Sequence, residues 1–234
     1  MSSACDGTSP RGLKSRRFLL SVEPAATALG SRAAYVVVAL AIGKLLQFQI
    51  QLGNTHGFDR PSLAWSALFL ALTAPAGIVI HECGHCLAGA ALRQHCRRFV
   101  IGTVEWARGA RGWTVRWIPI RRAGMVDLVP STLAHFRLRR AVCIAGGPMA
   151  SLLAGLVFLD LSWGAHTPSL FWIWSFCAQW ALVGLLGLAP IRRGAARSDG
   201  YRLWELIRGG AAVDALQCDL RVASSGRIPP GMRD

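Results

Sequence analysis

Four stretches of the sequence, residues 33–53, 63–92, 141–159 and 169–191, are each long and apolar enough to cross a bilayer as a helix. About 20 mostly apolar residues suffice to span about 30 Å of hydrocarbon. A segment in lipid must satisfy its backbone internally, and runs of this length do so as α-helices rather than as the shorter strands of a barrel. The chain is therefore expected to be a polytopic membrane protein. Its composition agrees, with 53% hydrophobic and 16% charged residues and a mean hydropathy of +0.38, too apolar for an ordinary soluble domain.

The basic residues give the expected orientation. Of the 26 Lys and Arg, 24 fall in residues 1–32, 93–140 and 191–234, which share one side if there are four spans with both termini together. The opposite loops hold only Arg60, and Lys44 lies within the first span. Lys and Arg are retained on the cytoplasmic side of short loops. The expectation is an integral, multi-pass protein of a bacterial-type cell membrane with cytoplasmic N- and C-termini. A net charge of +14 then needs only a juxtamembrane coat facing anionic lipid. No nucleic acid is expected as a partner, since no recognition motif accompanies the charge.

Along the chain this predicts a cytoplasmic N-terminal tail (1–32), one membrane domain (33–208) and a C-terminal tail (209–234). Glu23 and Pro24 interrupt the apolar character of the N-terminal segment, so it reads as a tail ahead of a retained anchor rather than a cleaved signal. Seven cysteines without framework spacing read as free thiols. The sizeable insertion, 93–140, contains two arms rich in β-branched and aromatic residues about a glycine-containing turn, which predicts a hairpin at 98–119. In its second arm Trp113, Val115 and Trp117 alternate with Thr114 and Arg116, so one face suits the membrane interface. The expected fold class is an all-α polytopic membrane protein of about four transmembrane helices, with a small interfacial β-hairpin between the second and third.

Within the second apolar stretch stands His81-Glu82-Cys83-Gly84-His85. Ionisable groups inside a bilayer cost at least a few kcal/mol, roughly, unless a partner compensates them. On a helix, positions i and i+4 share one face, so His81 and His85 can reach one metal while Glu82 lies beside it as a general base. Catalytic zinc takes three protein ligands and keeps a fourth position open. The expected cofactor is thus one Zn2+ per chain, with a third ligand from the cytoplasmic side. Asp160, at the outer end of the third span, is excluded. Asp199, Asp127, Glu105, His95, His135 and Glu205 all remain candidates.

The HExxH within a span, "AGGPMAS" (145–151) early in the next and "GLAPIRRGAARSDG" (187–200) after the last together resemble the site-2 protease family of intramembrane zinc metalloproteases. The likeness covers about residues 63–208. It implies that Asp199, of the terminal Asp-Gly, is the third ligand. It also implies substrate contacts at Gly147, Pro148, Ser151 and Gly187. Two of these depart from the pattern, since the family commonly carries asparagine where this chain has Ser151 and Gly187. Gln179 is a candidate for a replacement amide, with a packing role as the plainer expectation. The interval from Pro190 to Asp199 is also longer than is usual in the family.

The expected activity is a zinc-dependent endopeptidase that hydrolyses a peptide bond in or near a transmembrane segment of a membrane-bound protein or peptide. The 98–119 hairpin, through Trp113, Val115 and Trp117, is expected to pair with the unwound substrate by edge addition. Regulation is expected to come through an unidentified partner or through trimming of the substrate before it reaches this site. Two alternatives stay open: a relative that binds membrane segments or metal without cutting, and a different HExxH membrane peptidase whose third ligand is Glu205.

Overall fold

The computed structural model describes residues 33–209, apart from 34–35, 38–39, 42, 110–111, 120–123, 131, 133 and 194–195. The expected tails, 1–32 and 210–234, lie outside the described residues, as do five positions of the first apolar stretch. Among the described residues, three helices are long and apolar enough to cross a membrane, over Leu63–Ala91, Phe136–Trp163 and Pro168–Leu188. In the first apolar stretch residues 43–55 are helical (α1).

The three longer helices follow the expected spans with shifted ends. The second span is α2 (Leu63–Ala91). Ser62 caps it, its hydroxyl accepting from the Trp65 backbone N–H, which satisfies one of the free donors of the first turn. The third is α3 (Phe136–Trp163), longer at both ends than 141–159. Arginines in its first turn do not interrupt a helix that has left the hydrocarbon. The fourth is α4 (Pro168–Val183), capped by Thr167, and it tightens into a 3-10 segment at Gly184–Leu188 instead of continuing to 191.

Apolar side chains such as Leu72 on α2 and Leu153 and Val157 on α3 stand exposed on the outside of the bundle, as lipid-facing residues do. Inside, Leu52 of α1 packs with Phe171, Trp172 and Phe176 of α4. The Gln49 amide donates to the Ser175 carbonyl in the same interface, and the Trp180 indole N–H donates to the Leu70 carbonyl across the α2–α4 contact (3.1 Å). These bonds give buried polar groups a partner where no water would compensate them.

Between α2 and α3 the insertion is larger than the expected hairpin. It forms a four-stranded antiparallel sheet in the order β3-β2-β1-β4, with β1 at Gln94–Ile101, β2 at Val104–Gly109, β3 at Gly112–Trp117 and β4 at Gly124–Pro130. Gly102, at φ +57°, turns the chain between Ile101 and Val104. The single first arm of the expectation is thereby two strands. The left-handed conformation there is readily open to glycine. The fourth strand, β4, lies beyond the expected hairpin and pairs with β1, Val100 opposite Met125.

After the 3-10 segment, Arg192–Arg193 (β5) and Ala196–Arg197 (β6) form a two-stranded ribbon. It leads into α5 (Asp199–Arg208). Leu206 of α5 joins Phe136 and Ile144 of α3 in a second apolar cluster. The sheet, the ribbon and α5 thus gather at the end of the bundle where α2 finishes and α3 begins.

Candidate metal centre

The centre is built where α2 and α3 touch most closely. A side-chain carbon added at Gly84 would run into the Gly146 carbonyl and Ala150, and one at Gly146 into Ala88 and the Gly84 backbone. Small residues of this kind let two helix backbones approach in lipid. The close crossing sets His81 and His85 of α2 against Gly147 of α3, where an added carbon would meet both imidazoles, His81 Nε2 at 2.9 Å. Gly147 therefore makes room for the histidines. At 1.5 Å per residue, His81 lies about 15 Å along α2 from its last residue, Ala91.

Asp199 reaches the histidines from the other end of the sequence. Ser198 caps α5, its hydroxyl accepting from the Tyr201 N–H (3.1 Å) and from the Ile191 N–H (2.9 Å) while donating to the Ala189 carbonyl. The β5–β6 ribbon carries the longer Pro190–Asp199 interval out and back, so that Ser198 returns beside Ala189. Gly200 lets α5 start against the Leu188 carbonyl, a position that an added side chain would occupy.

Three donor atoms converge. His81 Nε2 lies 2.9 Å and His85 Nε2 3.3 Å from Asp199 Oδ2, and the three form a group able to hold a metal ion. Donors around a tetrahedral zinc, at bond lengths of 2.0–2.1 Å, stand about 3.3 Å apart. The far ring nitrogens are tied to protein. His85 Nδ1 lies 2.8 Å from the Cys143 carbonyl, to which it donates in the tautomer that leaves Nε2 unprotonated, with the Gly147 N–H also at 3.3 Å, and His81 Nδ1 lies 3.0 Å from Ser151 Oγ. A neutral His85 that donates from Nδ1 has a lone pair at Nε2, and that lone pair faces a carboxylate oxygen. A cation between them resolves the conflict, and tying the far nitrogen in this way is how metal-binding histidines are oriented. The residues present therefore fit zinc.

Burial by itself raises the Asp199 pKa. The hydrogen bonds and charges of His81 and His85 outweigh it and hold the carboxyl well below the usual carboxylate range. The second oxygen, Oδ1, stands 4.0 Å from Arg202 Nη1.

Glu82, Asp199 and His85 line a cavity of about 490 Å³, walled by β4 on one side and by Gly187 and Ser198 on the other. Gly124 of β4 abuts Glu82, whose carboxylate would be struck by any side chain there.

The other third-ligand candidates are placed elsewhere. Glu105 is buried in the sheet with Arg116 (2.8 Å) and Arg98 (3.9 Å). Glu205 pairs with Arg197 at 2.7 Å, so the Glu205 alternative lacks its ligand. His95 and His135 are exposed, and Asp127 is paired in register with Arg98 on β4.

Several expected substrate contacts change place. Ser151 is fully buried and its hydroxyl faces His81. Trp113, Val115 and Trp117 are exposed on β3, the edge of the sheet farthest from β4, and β3 does not line the cavity. Strand β4, missed in the sequence, is the edge at the site. Its signal was Met125-Val126-Asp127-Leu128-Val129, a short, mostly apolar run after Gly124. Gly187 does line the cavity, and a carbon added there would lie 3.5 Å from Asp199 Oδ2, in ordinary contact. Pro148 is buried in α3 and leaves the Ile144 carbonyl without its helical N–H donor. Gln179 is buried on α4 and does not line the cavity.

A family model described as "Peptidase family M50" matches residues 68–219, well over half of the chain and all of the elements that build this centre. No curated protein and no solved structure matches the chain.

Proposed function

The chain belongs to peptidase family M50, the site-2 protease family, and from that premise we propose that it is a zinc-dependent intramembrane endopeptidase. The reading is carried by one observation: His81, His85 and Asp199 converge on one point at the wall of a cavity that also holds Glu82.

When bound, zinc supplies Lewis-acid polarisation of the scissile carbonyl and of water. The chain's own residues do the rest. His81, His85 and Asp199 hold the ion, oriented by Ser151, the Cys143 carbonyl and Arg202. Glu82 takes a proton from water at its carboxylate and passes it to the leaving amine, the usual role of a general acid–base group. A substrate helix offers no accessible carbonyl and must unwind first. The free edge of β4 offers the extended chain a hydrogen-bonding partner by strand addition, with Gly124 setting that edge against Glu82. Water enters from the cytoplasmic end, where the sheet and α5 surround the cavity. The substrate is a membrane-spanning protein or peptide, and the enzyme is a multi-pass membrane protein with cytoplasmic termini.

The test is cleavage of a co-reconstituted single-span protein by the wild type and Glu82→Gln, with zinc content measured on both. Cleavage is expected to fall by at least about 10²-fold in the variant while one zinc per chain is retained. Equal cleavage by the two proteins sinks the mechanism. Substrate capture without cleavage by the wild type marks a relative that binds and does not cut.

A further inference from the structure

The cavity beside Glu82 is also lined by three arginines, Arg140, Arg197 and Arg202, of which only Arg202, beside Asp199, has a part in the proposed chemistry. Their partners differ. Arg197 is paired with Glu205 at 2.7 Å. Arg202 stands 4.0 Å from the outer oxygen of Asp199, whose inner oxygen is committed to the metal ligands. Arg140 is partly buried near the start of α3, and among the described residues its guanidinium makes no ion pair. It donates only to the Leu128 carbonyl, at 3.4 Å.

The charge balance around this group is incomplete. Glu82 and Asp199 together offset the two charges of a bound zinc ion, and Glu205 offsets Arg197. Asp127 of β4 acts on Arg140 only from beyond ion-pair distance, and Arg202 shares Asp199 at 4.0 Å with the metal ligands, so among the described residues neither guanidinium has a close carboxylate of its own in this space. A cytoplasmic coat of arginines needs no such placement, since coat residues can extend into water. A guanidinium presents five N–H donors in a planar fork that matches a carboxylate, and burying such a charge is costly unless an anion meets it.

We propose that Arg140, supported by the charge of Arg202, forms a subsite for a carboxylate of the substrate, either an acidic side chain or a free C-terminus. The position of the subsite sets where that carboxylate lies. Gly124 marks the Glu82 end of β4, and Arg140 is bonded at Leu128, four residues along the strand. Four residues of extended chain cover about 13 Å, so an extended substrate carries its anion about three to five residues from the bond that is cut. The inference rests on the endopeptidase reading for the identity of its ligand, a peptide chain.

Binding separates this inference from that reading. Labelled single-span peptides are titrated against the full-length protein in lipid nanodiscs, in a Glu82→Gln background so that none is cut. One set carries a single glutamate, moved residue by residue along the cytoplasmic flank, with an amidated C-terminus. A second has no acidic residue and a free C-terminus. The reference has glutamine and an amidated end. The expected result is binding about tenfold tighter for one carboxylate arm than for the reference, with the arm identifying the source. Adding Arg140→Gln abolishes the difference, Arg140→Lys keeps most of it, and Arg140→Glu shifts preference to a lysine peptide, which also shows that the site is folded. Arg139→Gln, which alters a neighbouring arginine that does not line the cavity, leaves the preference unchanged. No preference in either arm, or a preference that survives Arg140→Gln, overturns the inference. Absence of cleavage by the Glu82-containing protein, with the binding preference intact, overturns the endopeptidase reading alone.

Discussion

Replacing Ser151 by alanine is expected to weaken zinc binding about 10–100-fold without dismantling the fold. Ser151 Oγ lies 3.0 Å from His81 Nδ1, and the residue, on α3, is fully buried against Gly184 of the 3-10 segment. Alanine removes one oxygen and adds no bulk. What is lost is the acceptor that keeps the proton on Nδ1 and leaves Nε2 free to face Asp199. A hydrogen bond of this kind contributes about 0.5–1.5 kcal/mol net, and the imidazole nitrogen left without a partner in a dry site costs about 1–3 kcal/mol. The range overlaps the roughly 1.4–2.8 kcal/mol that a 10–100-fold change represents. The assay is competition for zinc between the purified protein and a chromophoric chelator of known affinity, with helix content followed by circular dichroism. Asparagine at 151, the residue more usual in the family, provides a second acceptor and is expected to recover part of the loss. An affinity for Ser151→Ala within about threefold of wild type, less than the smallest effect expected of an orienting partner, refutes the argument that this hydroxyl orients His81.

Gly147→Ala is expected to abolish stoichiometric zinc binding, because the added carbon meets both imidazoles; full zinc content in this variant would show that the histidines stand elsewhere. Asp199 has its pKa lowered in the folded protein, so in the metal-free protein its ionised form stabilises the fold above the unfolded value of about 3.9. That contribution is lost as pH falls through the lower folded value. The gap in melting temperature between wild type and Asp199→Asn, both zinc-stripped, should narrow as pH falls below about 4; a gap that instead widens there contradicts the assignment. In the sheet, Arg116→Ala is expected to cost more than Glu105→Gln, by about 1–2 kcal/mol in denaturant midpoints. The first leaves a buried carboxylate with only Arg98 at 3.9 Å, whereas the second leaves two partly exposed arginines that water can reach.

Much of the molecule could be read from residue order alone, because its physics is local. Runs of about 20 apolar residues must become helices in lipid, and α2, α3 and α4 follow the stretches that the sequence marks. The spacing of His81 and His85 puts both on one helical face whatever surrounds them, so two candidate ligands and the intervening Glu82 were fixed by helical periodicity. The alternation of Trp113, Val115 and Trp117 marks the strand β3, whereas the expected first arm runs from the end of β1 into β2.

Tertiary structure decided what depends on meeting across the chain. Six residues could have completed the metal site by type and side. Asp199 is the one that stands beside both histidines, because the β5–β6 ribbon, Ser198 and Gly200 bring α5 back to the bundle, and its contact with His81 joins residues 118 apart in sequence. Ser151 meets His81 across 70 residues, and no local pattern records that the serine standing where the family has asparagine faces an imidazole. The sheet edge beside Glu82 is β4 rather than the aromatic β3, because β1 pairs on both sides, with β2 and with β4. Helix and strand periods are properties of a short window, whereas the close approach of α2 and α3 at Gly84 and Gly146, which gathers these groups, exists only once two distant windows pack.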